Sequence, residues 1–151
     1  MTDLAFRPAG LGDADLLFDW VNRPDCLAGK LRTDGPIPRA SHDAWFAARL
    51  GESDCRLWIV ERGGVPVGQI RLQAANGAYE VDVYVVPTAR RAHVAAAAVG
   101  HAVGEMATAE PGARLVARVR SGNAASRRLF ESVGFALCET RDDHIVFEYL
   151  A

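Results

Sequence analysis

The chain has 151 residues, 50% of them hydrophobic and 24% charged, which suits one compact core and excludes a disordered, collagen-like or low-complexity protein. Lysine plus arginine number 17 against 19 aspartates and glutamates, a net charge of -2, so the basic excess of a general nucleic-acid binder is missing. No apolar run approaches the ~20 residues that cross a bilayer, the first residues hold no signal-peptide core, and Cys26, Cys55 and Cys138 are too widely spaced for a zinc or redox motif; the expectation is a cytoplasmic protein in a reducing compartment, with small buried or half-buried thiols.

Residues 4–7 read as a short strand stopped by Pro8, followed by a turn and a helix over 13–22 with Leu16, Leu17 and Trp20 at helical spacing. Pro24 ends that helix, and 26–39, with Gly29, Gly35, Pro36 and Pro38, reads as an irregular loop. Ser41 looks like the N-cap of a second helix that Gly51 closes. Trp20 and Trp45 are assigned to the core. Strands follow at 57–61 and 65–72, joined by Gly63-Gly64, a pair suited to the positive φ angles of a type I′ turn. Asn76-Gly77 marks the next turn, and 79–86 is the clearest strand. Val81, Val83 and Val85 form one face; Glu80, Asp82 and Tyr84 form the other. After Pro87 an alanine-rich helix runs over 90–107, with Val94, Ala98, Ala102 and Met106 on one stripe. A strand at 115–119, a helix at 123–132 and strands at 137–140 and 145–149 complete a β-α-α-β-β-β-α-β-α-β-β order. This is a single mixed α/β (α+β) domain over 1–151 with a mostly antiparallel sheet. Strand 145–149 is expected to be an edge that could pair between subunits of a homodimer; a monomer is the alternative.

Chemistry concentrates at two places. Arg90-Arg91 stand at a helix start, where unpaired N–H groups and the dipole favour an anion; on their own they are either a phosphate cradle or two solvated charges. The second place is the block from Gly122 to Phe135. His42, His101 and His144 share no metal-ligand spacing, and no metal is expected. Neither a nucleophile elbow, a Walker loop nor a Rossmann glycine string is present.

With Asn123, Ser126, Leu129, Phe130, Gly134 and Phe135 at their spacing after the Arg90 turn, nearly the full chain resembles the GNAT N-acetyltransferase superfamily. Trp20-x-Asn22-x-Pro24 and Trp45-Phe46 resemble the branch that modifies ribosomal-protein N-termini and nucleotide-linked amino sugars. The resemblance implies a central sheet splayed between its fourth and fifth strands and flanked by about four helices, with acetyl-CoA as cosubstrate and a small-molecule amine as acceptor. It implies a coenzyme A loop over Arg90, Arg91, Ala92, His93, Val94 and Ala95, in which His93 stands at the family's central glycine and Arg91 where glycine is common. A free backbone N–H at Val85 or Val86 would meet the thioester oxygen, Asn123 and Ser126 would contact the pantetheine arm, and Phe130 occupies a position where the family often has tyrosine. Glu80 is the first candidate base and Asp82 the second; Tyr84 is the first candidate acid, with Ser126 or water as substitutes. The acceptor pocket is expected from the 26–39 loop, the start of the second helix and the loop after Asp142, where Arg32, Arg39 and His42 would meet an anionic acceptor such as a nucleotide-linked amino sugar. Two rival readings are a degenerate fold-mate that binds coenzyme A or a partner without catalysis, and a peptide N-terminal acetyltransferase. Neither nucleic acid nor membrane is an expected partner.

Overall fold

The computed structural model describes residues 3–29 and 35–151. Among them, seven strands form one sheet: β1 (Leu4–Pro8), β2 (Cys55–Arg62), β3 (Val65–Ala75), β4 (Ala78–Val85), β5 (Arg114–Arg120), β6 (Ala136–Thr140) and β7 (His144–Leu150). Their spatial order is β1-β2-β3-β4-β5-β7-β6. Every neighbouring pair is antiparallel except β4 and β5, which run parallel and pair only at Tyr79 opposite Leu115 and Glu80 opposite Val116. Beyond those two pairs the strands diverge, as the resemblance implied.

Both faces of the sheet are covered. On one lie α4 (Val94–Ala109) and α5 (Ala124–Val133), packed on Ile70, Leu72, Leu115 and Phe147. The stripe Val94, Ala98, Ala102 and Met106 is fully buried, and its alanines let α4 lie close to the strands. On the other face α1 (Ala14–Val21) and α3 (Arg39–Leu50) bring Leu17, Trp20 and Phe46 against Ile59 and Tyr84. Trp45 is half-buried instead of core, with the Arg71 guanidinium 4.8 Å from its ring centroid.

The departures from the expected elements have local causes. Pro24, read as a helix end, instead opens a further short helix, α2 (Pro24–Gly29), that runs into the 26–39 stretch read as loop; a proline lacks only the N–H that a first turn would leave unpaired anyway. The Asn22 side chain then holds the returning chain, donating to Ile37 O at 3.0 Å and accepting from Ile37 N at 2.6 Å. The next helix begins at Arg39 behind Pro38, not behind Ser41. The alanine-rich helix begins at Val94, because Pro87–Ala92 winds into a 3₁₀ turn and His93 adopts φ 58°, which no α-helix continues through. Strand β7 is interior, between β5 and β6; the sheet edges are β1 and β6, since the hairpin after β6 folds back inward. Cys138 on β6 is exposed, unlike the half-buried Cys26 and Cys55. The Gly63-Gly64 hairpin is as expected, with φ of 56° and 82°. No helix among the described residues is long and apolar enough to cross a membrane.

Candidate active site

The divergence of β4 from β5 opens a cleft of about 620 Å³. Val81, Val83 and Val85 line one wall, Arg118, Val119 and Arg120 the other, and Asn123 with Ser126, Leu129 and Phe130 of α5 closes one side. His93, Ala95 and Ala96 bring the start of α4 to the same space, and Asp25, Cys26, Asp82 and Tyr84 complete it.

Backbone geometry decides which amide faces the opening. Val86 N–H donates to Val67 O across β3 at 2.9 Å. Of the two amides named from the sequence, Val86 is therefore already used. Antiparallel pairing alternates, so with Val86 turned to β3 the N–H and C=O of Val85 turn the other way, toward the gap. The Val85 carbonyl accepts from Arg90 Nε at 2.9 Å, on that same side.

On the other face of β4, Asp82 accepts from the Nε2 of buried Gln69 at 2.9 Å and lines the cleft. Glu80 does not line it; its carboxylate accepts from Arg118 Nε at 3.0 Å. Tyr84 is buried, and its hydroxyl has no well-formed hydrogen-bond partner among the described residues. Burial, and then the adjacent Asp25 carboxylate, pushes this phenol above the ordinary value of 10. Burial would raise the Asp25 carboxyl, but Tyr84 and the Arg90 guanidinium outweigh it and hold the group below the usual carboxylate range.

Arg90 bonds Asp25 as well as Val85 O, and its Cζ sits 5.7 Å from the Tyr84 ring centroid. His93 is exposed at the cleft mouth in the left-handed conformation. That conformation explains a glycine at this point of such loops: a residue with a Cβ is strained there by roughly 1–2 kcal/mol. His93→Gly is therefore expected to raise stability by up to about 1 kcal/mol, after the larger unfolded-state entropy of glycine is subtracted. Thermal unfolding of the two proteins checks this; a lower Tm for the glycine variant would contradict it.

Asn123 caps α5, its Oδ1 accepting from Ser126 N at 3.1 Å. Phe130 is buried against Phe135 and Phe147, a core residue whose ring forms part of the cleft floor. Arg91 and Ala92 complete the 3₁₀ turn that leads to His93.

Of the expected anionic-acceptor residues, Arg39 and His42 are neighbours on α3 and both meet the Phe18 ring, but neither lines the cleft. Arg39 is engaged with Asp15 and Asp43 and lies over the Phe18 ring. His42 is buried beside Phe18, Trp45 and Phe46, a core histidine. Arg32 lies outside the described residues. Burial lowers the His42 pKa; Asp43 opposes this and does not prevail. The unfolded chain therefore binds a proton near pH 6.5 that the native chain refuses, and stability falls as pH drops through about 6.5 until the lowered native value is passed. Denaturant unfolding between pH 7 and 5 should show this slope in the wild type and a shallower one in His42→Phe; identical slopes would remove His42 as its source.

Asp25, Gln69 and Arg118 are site residues that the sequence reading passed over. Arg118 and Arg120 alternate with Val119 on β5, a period-two signal that could have marked them as one face. Asp25 was hidden because Pro24 was read as the end of one helix and not the start of another.

The chain matches the family model for an acetyltransferase (GNAT) domain over residues 3–136. No curated protein matches it. Among solved structures, it is similar over 100% of both chains to a domain from Methanocaldococcus jannaschii DSM 2661, at 18% identity and a TM-score of 0.86. It is also similar to spermidine N-acetyltransferase from Vibrio cholerae in complex with CoA and spermine, at 15% identity and a TM-score of 0.86, covering 98% of this chain and 95% of that one. A dodecameric structure of the Vibrio cholerae enzyme in an intermediate state gives 16% identity and a TM-score of 0.80, over 98% and 94% of the two chains.

Proposed function

Because the chain belongs to the GNAT acetyltransferase family, we propose that it is, over residues 1–151, one acetyltransferase domain moving the acetyl group of acetyl-CoA to the primary amine of a small molecule. The observation that carries this reading is the fork between β4 and β5, paired at only two positions and then open, with the Val85 amide turned into it. A slender thioester arm fits between the diverging strands, and its carbonyl oxygen meets the Val85 N–H, a donor already aimed where negative charge develops. The diphosphate rests against the turn through His93 and the amides that open α4 at Val94 and Ala95. Asn123 and Ser126 face the pantetheine arm.

The reaction is a direct transfer. The amine nitrogen attacks the thioester carbon and the C–S bond breaks. Asp82, which lines the cleft, takes the ammonium proton directly or through one water; this role shifts from Glu80, whose carboxylate is engaged by Arg118. Tyr84 donates its hydroxyl proton to the departing thiolate and is reprotonated from solvent. Three carboxylates, Asp25, Asp82 and Glu80, stand at or beside the cleft. Arg90 and Arg118 engage two of them, so the choice of a cationic acceptor such as a diamine or polyamine rests on the spermine-bound structural relative. The engagement of Arg39 and the burial of His42 argue against a nucleotide-linked sugar.

The test is calorimetric titration with acetyl-CoA, followed by a thiol-release assay over a panel of diamines, polyamines, amino sugars and peptide N-termini. Binding and amine-dependent thiol release, strongest with polyamines, is the expected result. Binding without release from any amine would favour a coenzyme A-binding protein that does not catalyse transfer, and no binding at millimolar acetyl-CoA would defeat both.

A further inference from the structure

Arg90 stands in the turn where the sequence suggests a phosphate ligand, but both edges of its guanidinium are used inside the fold. Nε donates to Val85 O at 2.9 Å, and Nη2 bonds the Asp25 carboxylate on α2. The chain is built to bring it there. Pro87 stops the strand, Ala89 N–H closes on Val86 O at 3.0 Å, and the 3₁₀ turn carries Arg90 back over the residue five places before it.

The place it occupies is the inner edge of the fork. If the parallel ladder continued past Glu80 opposite Val116, Val85 would stand opposite Ser121. The ladder has no pair there, and the Val85 carbonyl goes to Arg90 instead. The β4 side of the opening thus has a partner from its own chain segment in place of β5. A gap-facing carbonyl with no partner would favour closing the ladder or recruiting water.

We propose that Arg90 is a positioning residue: it holds the fork open by occupying the Val85 carbonyl, and Asp25 is the anchor that keeps it there. Its part in catalysis rests on the acyl-transfer reading above. The Val85 carbonyl and N–H flank one α-carbon, so fixing the first aims the second at the thioester oxygen. The planar guanidinium spans two acceptors at once, which a lysine ammonium on a flexible stem does not reproduce. The anchor also ties the acceptor-side helix α2 to the acyl-binding amide, with the Tyr84 ring between them.

The test compares wild type with Arg90→Ala, Arg90→Lys, Asp25→Asn and the Arg90→Ala/Asp25→Asn double variant, using acetyl-CoA and S-acetylpantetheine, which lacks the diphosphate. A positioning role predicts that Arg90→Ala lowers kcat by about 10- to 100-fold with both thioesters. The ratio of the two binding affinities should stay within about threefold of wild type, Arg90→Lys should not restore kcat, and the double variant should be no worse than Arg90→Ala alone. Loss of coenzyme A affinity with pantetheine binding unchanged would make Arg90 a phosphate ligand and overturn the proposal. A second readout needs no activity: hydrogen exchange in a peptide covering residues 78–86 should quicken in both Arg90→Ala and Asp25→Asn. Unchanged exchange in stably folded variants overturns the clamp. If the wild type binds no coenzyme A, the acyl-transfer reading fails on its own, and exchange alone decides whether Arg90 holds the fork.

Discussion

Replacing Tyr84 with phenylalanine is expected to lower kcat by about 10²- to 10⁴-fold, the usual contribution of a positioned proton donor, while leaving the fold intact. The two effects separate because the buried hydroxyl has no well-formed partner among the described residues. Removing it takes a neighbour from Asp25, which Arg90 still holds, so stability should change by no more than about 1 kcal/mol. The pH profile supplies a further check. A donor works only while protonated, so activity falls as pH rises through its pKa. Burial and Asp25 move that pKa above 10, which places the alkaline limb of the wild-type profile beyond the ordinary phenol range. Tyr84→Phe should lose the limb together with the rate. A variant with full turnover would reassign the thiolate proton to Ser126 or water.

The second large effect is structural. Gly68 of β3 lies opposite Val85, and a Cβ built there would come 2.4 Å from Tyr84 O and 3.3 Å from Val85 Cα. Both obstacles are backbone, so β4 itself must move. The same glycine adjoins an irregularity in the β2–β3 register, where Val60 faces Gly68 and Glu61 faces Pro66. Gly68→Ala is expected to destabilise the protein by about 2–3 kcal/mol, by forced overpacking, and to lower Tm by roughly 5–10 °C for a chain of this size. Because the displaced segment carries the Val85 amide, kcat should fall as well, with coenzyme A affinity less affected. A variant with wild-type Tm and turnover would show that the approach is relieved cheaply.

Much of the architecture was legible because its signals are local. Alternation of valines with Glu80, Asp82 and Tyr84 marks β4, paired glycines mark the β2–β3 hairpin, and the four-residue stripe from Val94 to Met106 marks α4. The family motif around Asn123 and Gly134 then supplies the splay, which no periodicity encodes. What escaped is what depends on partners distant in sequence. The face of β4 carrying Tyr84 looked polar and open, but α1 and α3 cover it, so Tyr84 is buried. His42 looked available until Phe18 and Phe46 were seen around it. Arg90 looked like a free cation because Asp25 is 65 residues away along the chain. Glu80 and Asp82 are equivalent as letters; Arg118, on a strand that joins β4 through only two residue pairs, separates them.

The alternation in β4 also makes the site intolerant of a change in length. Odd positions deliver hydrocarbon to the α4–α5 side and even positions deliver carboxylates and a phenol to the other. Deleting or inserting one residue between Glu80 and Tyr84 would exchange the two sets, driving Asp82 into the oily interior and turning valines toward the incoming amine. Descendants of this gene can therefore vary the letters along that strand with some freedom, but a frame-preserving codon gained or lost there would be purged at once.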